Sequence, residues 1–192
     1  MSLRTLRSLV GVPPSAPSVN DSVLVIIDVQ NEYIDGLLQI TNPEPSRKVI
    51  HSLLEQYRTT SGDVIHVVHD APEGAPVFTP NTHLAEIVDE LKPLETEPII
   101  HKRHASAFTG TTFQEELTKI GKTKIVLVGY MAHNCISATA RAGTELGYDI
   151  SVVRDGVGDR EIPGATAEEL VRVTLAELAD VVATVINSTD LE

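Results

Sequence analysis

Six short runs of β-branched and aliphatic residues, separated by helical periodicity or loop, constrain this 192-residue chain more than any other feature. They are Val23 to Ile27, Val64 to Val68, Pro98 to Lys102, Ile125 to Gly129, Ile150 to Val153 and Val181 to Val185. The first and fourth are the most continuously apolar, as strands buried on both faces must be. Between the runs, Val49, Ile50, Leu53, Leu54 and Tyr57 recur at helical spacing, as do Phe113, Leu117 and Ile120, and then Val171, Leu175 and Leu178. Thr112 with Glu115 and Thr166 with Glu169 have capping-box spacing. A helix starting near Asn134 should stop at Gly147. Strands alternating with helices need right-handed crossovers and a parallel sheet covered on both sides. The expected fold is α/β, a three-layer αβα sandwich with a six-stranded, mostly parallel sheet.

The length favours one domain over residues 22–192, preceded by an arm at 1–21 that is rich in Ser and Pro. The arm is expected either to drape over the body or a partner subunit, or to be loosely ordered. Lys and Arg number 15 against 27 Asp and Glu, a formal charge of −12. That balance argues against nucleic-acid binding and against docking on an anionic membrane. Cys135 is the single cysteine, which excludes an intrachain disulfide and a multi-cysteine zinc site. No apolar run approaches the length of a membrane span, and Leu9 to Val12 is too short for a secretory signal core. A cytoplasmic location is the resulting expectation. Gly156 and Gly158 match no phosphate-loop pattern, and no cofactor is expected.

Ligands of such sheets bind beyond the carboxyl ends of the strands. Asp28 follows the first strand, Lys102 ends the third, and Cys135 follows the fourth at a predicted helix start. A helix N-terminus and an ammonium both favour a thiolate. A carboxylate can take and return a proton, and free backbone N–H groups can hold an oxyanion. Each residue also has a plainer reading: a lone Cys is commonly a small buried hydrophobe, an Asp after a strand a turn cap, and a strand-end Lys a solvated charge.

Three segments carry a family resemblance that spans roughly residues 22–186. Val25-Ile26-Ile27-Asp28-Val29-Gln30-Asn31 matches an opening strand with D-x-Q. His101-Lys102-Arg103-His104-Ala105-Ser106-Ala107-Phe108-Thr109-Gly110-Thr111 matches K-x-x-x-S-A-F-x-G-T. Gly129-Tyr130-Met131-Ala132-His133-Asn134-Cys135 matches a nucleophile segment. With these motifs the chain resembles the isochorismatase-like cysteine hydrolases, the superfamily of isochorismatases, nicotinamidases and N-carbamoylsarcosine amidases. The resemblance implies a triad of Asp28, Lys102 and Cys135, a cis peptide at Tyr130–Met131, and an oxyanion hole from the amides of Met131 and Cys135. Gln30, Tyr33, His104, Phe108, Tyr130 and His133 are the expected pocket residues, with Phe108 equally able to be core packing.

Two departures matter. Ala132 stands where a Thr is common, and the Asp-x-His metal cluster of nicotinamidases has no match after Tyr33. The His66, His69 and Asp70 group offers only H-x-x-H-D, whose histidines should point to opposite faces of a strand. No metal is expected. The leading expectation is a metal-independent cysteine hydrolase that cleaves a C–N bond of a small amide-like substrate through a thioester. The alternatives are vinyl ether hydrolysis with Asp28 as acid, and a non-catalytic scaffold of the same fold. A homo-oligomer is expected because relatives often assemble.

Overall fold

The computed structural model describes residues 3–191. Within them β1 (Ser22–Ile27), β2 (Asp63–His69), β3 (Ile99–Lys102), β4 (Lys124–Gly129), β5 (Asp149–Val157) and β6 (Thr184–Ile186) form one sheet in the order β3-β2-β1-β4-β5-β6. Every neighbouring pair is parallel. The six α-helices among the described residues are α1 (Leu6–Leu9), α2 (Glu32–Asp35), α3 (Glu44–Thr59), α4 (Phe113–Ile120), α5 (Ser137–Glu145) and α6 (Ala167–Val181).

Two cores sandwich the sheet. Leu24 and Ile26 of β1 join Ile50, Leu53, Leu54 and Tyr57 of α3 on one face. Val23, Val25 and Ile27 join Phe113 and Leu117 of α4, Ala140 of α5, and Leu175 and Leu178 of α6 on the other. This alternation is the period-2 geometry of a strand whose two faces are both covered. The three-layer α/β architecture therefore follows directly from the central apolar runs.

Local signals were less uniform. Thr166 and Glu169 form a reciprocal capping box on α6. Thr112 makes no side-chain cap at α4; the Phe113 N–H is instead received by Thr111 Oγ1 at 3.1 Å. The run Val181 to Val185 divides, its first residue finishing α6 and only Thr184–Ile186 forming β6. A short apolar run does not distinguish a buried helix end from a strand.

The arm lies against the body, apart from residues 1 and 2, which fall outside the described range, as does residue 192 at the other end. Leu6 N–H donates to Asp180, Ser15 N–H to Thr184 Oγ1, and Ser15 Oγ to Asp149 at 2.6 Å. No described helix is long and apolar enough to cross a membrane.

Candidate active site

The parallel sheet delivers three chemically active side chains to one edge. At the end of β1 the backbone turns out of the sheet through Asp28, whose φ of +52° is left-handed, while its N–H still donates to Val67 O at 2.8 Å. Asp is one of the few non-glycine residues that tolerates this region, and such strain gathers at functional sites. Lys102 is the last residue of β3. At the end of β4, Gly129 adopts a φ of +114°, and a Cβ there would lie 2.1 Å from Ile27 O, so only glycine lets β4 run this close to β1. The Tyr130–Met131 peptide that follows is cis.

Cys135 does not open a regular helix. Ala132–Ile136 form one π-helical turn, and α5 begins only at Ser137. π-turns of this kind recur at functional sites because they re-aim a side chain. Two contacts from the end of β5 hold the turn. Ala132 N–H donates to Gly158 O at 2.9 Å. The buried Asp159 carboxylate receives His133 N–H at 2.9 Å, His133 Nδ1 at 2.8 Å and Arg160 N–H at 2.9 Å.

The three side chains meet. Lys102 Nζ lies 2.7 Å from Asp28 Oδ2, both side chains being fully buried, and 3.3 Å from Cys135 Sγ. The same ammonium lies 3.2 Å from His69 Nδ1 and 3.2 Å from His104 O. The ion pair is close but off the hydrogen-bond line, and neither Asp28 oxygen has a hydrogen-bond partner. Burial raises the Asp28 carboxyl above its ordinary range, against the opposing pull of Lys102. Burial works against the Lys102 charge too, but Asp28 and Cys135 outweigh it and hold the ammonium.

The sulfur corrects an expectation. Burial, and then the adjacent Asp28 charge, push the Cys135 thiol up to about 12, and Lys102 does not offset them. The thiol rests protonated, because burial dominates and its two charged partners act in opposite directions.

The expected pocket residues divide. Tyr33 is buried, with its ring edge-on to Phe78 at 5.2 Å and to Tyr130 at 5.7 Å. Burial drives its phenol well above the ordinary range, so it stays protonated. Tyr130 is fully buried, its hydroxyl 2.8 Å from Ser46 Oγ. His133 is held by Asp159, as described. His104 meets Lys102 through its carbonyl, while its side chain is exposed. Phe108 packs, as one of its two expected roles: its ring lies against Phe113 at 4.7 Å and stacks on Tyr148 at 5.8 Å, in the layer of α4. Gln30 spends its amide on the backbone of His69 and Ala85 and so braces the two strand ends.

Four residues had not been singled out for this site. His69 reaches Lys102, and the strand-tip rule applied to β2 finds it. Phe78 lies in the long loop after β2, with its ring 5.0 Å from that of His69. Buried Glu32 accepts the N–H groups of Leu37, Leu38 and Phe78, tying that loop to the one after β1. Asp159 carried no motif. His66 turns away from His69 to Glu97 Oε2 at 2.9 Å, so the two histidines do not share a ligand.

Comparison with known proteins identifies the family and the fold. The isochorismatase domain model matches residues 22–190. The secreted isochorismatase effector Isc1 of Verticillium dahliae is 55% identical over 189 residues, covering 98% of this chain and 100% of that protein. The isochorismatase-like protein asqB of Emericella nidulans is 33% identical, covering 100% of this chain and 88% of that protein. The crystal structure of an isochorismatase from Pseudomonas putida superposes with a TM-score of 0.95 at 29% identity over the full length of both chains.

Proposed function

The chain belongs to the isochorismatase domain family, and from that membership we propose that this hydrolase cleaves a vinyl ether of the isochorismate type with Asp28 as its proton donor. The observation that carries the reading is the fully buried Asp28 carboxyl, raised by burial and set beside a thiol that rests protonated. Proton transfer from Asp28 to the terminal vinyl carbon leaves an oxocarbenium ion. A water adds to that cation and returns a proton to the Asp28 carboxylate. The resulting hemiketal collapses to a ketone and an alcohol, which for an enolpyruvyl ether are pyruvate and the ring alcohol. A buried acid with a raised pKa suits this task, since it holds its proton to higher pH than an exposed carboxyl does. The similarity to a protein named as an isochorismatase effector supports the same substrate class.

A second reading has its own observation, the 3.3 Å approach of Lys102 Nζ to Cys135 Sγ. Here Asp28 takes the thiol proton as sulfur attacks an amide-like carbonyl, with the oxyanion on the amides of Met131 and Cys135. Asp28 then protonates the departing nitrogen. Water, losing its proton to Asp28, releases the acid from the thioester, and the thiolate recovers that proton. The scaffold reading lacks support, because a scaffold has no need to bury three ionisable groups against one another.

Turnover of isochorismate by the wild type, Asp28→Asn and Cys135→Ala separates the readings. The acid mechanism expects Asp28→Asn to lose about 10²–10⁴-fold while Cys135→Ala stays within about tenfold. Equal, near-complete loss in both variants on an amide, with no turnover of isochorismate, establishes the thioester route instead. Homo-oligomerisation is carried as a proposal, tested by light scattering against the 20.7 kDa chain mass. A cytoplasmic location rests on the lone cysteine, and the Verticillium relative named as secreted points the other way.

A further inference from the structure

We propose that His69 is a positioning residue for Lys102: its Nδ1 lone pair and the His104 carbonyl hold two of the three ammonium protons, leaving one to be shared between Asp28 and Cys135. The inference rests on the reading of Asp28 as the group that handles the proton. An ammonium has three N–H donors. Lys102 Nζ has four acceptor atoms around it: Asp28 Oδ2 at 2.7 Å, His69 Nδ1 at 3.2 Å, His104 O at 3.2 Å and Cys135 Sγ at 3.3 Å.

Lysine can only donate, so the contact with His69 requires an unprotonated Nδ1. The neutral ring is thereby fixed as the Nε2–H tautomer. Burial and then the Lys102 charge lower the His69 pKa, which keeps the ring neutral and able to accept. Asp28 and Asp70 act in the opposite direction, and His104 adds to the lowering. The ring has little freedom to leave. Gln30 Oε1 receives the His69 N–H at 2.8 Å, Gln30 Nε2 donates to His69 O at 3.1 Å, and Phe78 packs on the imidazole.

The consequence is electrostatic tuning of Asp28. An ammonium free to turn would give more of its N–H groups to the buried carboxylate, the strongest acceptor nearby, and stabilise its ionised form. With two donors committed elsewhere, Asp28 receives only a bent contact and keeps its proton to higher pH. When that proton leaves for substrate, one N–H is at hand for the new carboxylate, or for the sulfur in the thioester route.

The test needs no substrate. Nitrogen-15 NMR of histidine-labelled full-length protein is expected to show His69 as the Nε2–H tautomer at neutral pH, and an Nδ1–H tautomer there overturns the proposal. Carbon-13 NMR of aspartate-labelled protein then follows the Asp28 carboxyl through pH. His69→Leu, which removes the acceptor, is expected to lower the Asp28 midpoint by about one unit. His69→Asn, whose amide oxygen replaces the Nδ1 lone pair, is expected to restore it. An Asp28 midpoint unchanged in His69→Leu, or lowered equally in both variants, overturns the proposal as well. These readouts are independent of turnover. Failure of the Asp28→Asn and Cys135→Ala assays therefore removes the reaction without touching the tautomer, and the converse holds equally.

Discussion

Lys102 Nζ lies 2.7 Å from Asp28 Oδ2 with neither side chain reaching solvent, so each charge depends on the other for its existence. Lys102→Met removes that dependence on one side. Stranding a buried charge costs about 3–5 kcal/mol, but Asp28 can escape the cost by taking up a proton. In the variant its folded-state pKa rises further above the unfolded value of about 3.9. A raised folded pKa gives a contribution that is fully present below the unfolded pKa and lost as pH rises through the folded one. Urea unfolding is therefore expected to show a larger deficit against wild type at pH 8 than at pH 5. A deficit independent of pH contradicts a buried ion pair.

The same raised carboxyl sets the sign of the activity profile. If Asp28 donates a proton, kcat/KM falls as pH rises through the Asp28 pKa of the free enzyme. If it must first accept the thiol proton, kcat/KM rises with pH over that range. The vinyl ether reading expects the falling limb, and a profile recorded from pH 4 to pH 9 on isochorismate checks it.

Away from the site, Glu97 anchors the start of β3. Its carboxylate accepts Arg58 Nε at 2.8 Å and Leu94 N–H at 2.9 Å, and lies 2.9 Å from His66 Nε2. Although burial alone would raise it, these partners hold its pKa down at about 2. A depressed folded pKa stabilises above the unfolded value, and that contribution is lost as pH falls through about 4.5 towards about 2. Glu97→Gln is expected to cost about 1–3 kcal/mol at pH 7. The difference from wild type should narrow steadily in denaturation curves taken between pH 5 and pH 2.5.

The strands nearest the chemistry were the most legible. β1 and β4 are covered on both faces, so their apolar runs are continuous and their ends mark Asp28 and the Cys135 turn. Lys102 was found by the same rule at β3. His69 ends β2 and satisfies that rule equally, but H-x-x-H-D drew attention to metal spacing instead of strand position. Phe78 and Glu32 meet across a 46-residue separation through one hydrogen bond, from the Phe78 N–H to the Glu32 carboxylate, which no local period encodes. The resting state of the sulfur was misread for a related reason. A helix start and a lysine are visible in sequence, whereas the depth of burial and the closeness of Asp28 exist only after the strands assemble.

Asp159 gives the sharpest separation of scaffold from chemistry. Its buried carboxylate is the common acceptor for two backbone N–H groups and one imidazole nitrogen, and two of those three donors belong to His133, two residues ahead of Cys135. Asp159→Ala leaves all of them without that partner. Hydrogen bonds to a charged group contribute about 1.5–3 kcal/mol each, and their loss is partly regained from water at the half-exposed His133. The variant is expected to lose about 2–4 kcal/mol in urea denaturation. His133→Ala removes only the ring contact and keeps both backbone donors on Asp159, so its loss should be near 1 kcal/mol. Because the turn carries Cys135 while Asp28 and Lys102 stand on other strands, Asp159→Ala should reduce thioester chemistry far more than vinyl ether hydrolysis. Parallel kcat measurements on isochorismate and on an amide substrate, with stability followed in the same samples, decide whether the latch serves the nucleophile or the fold alone.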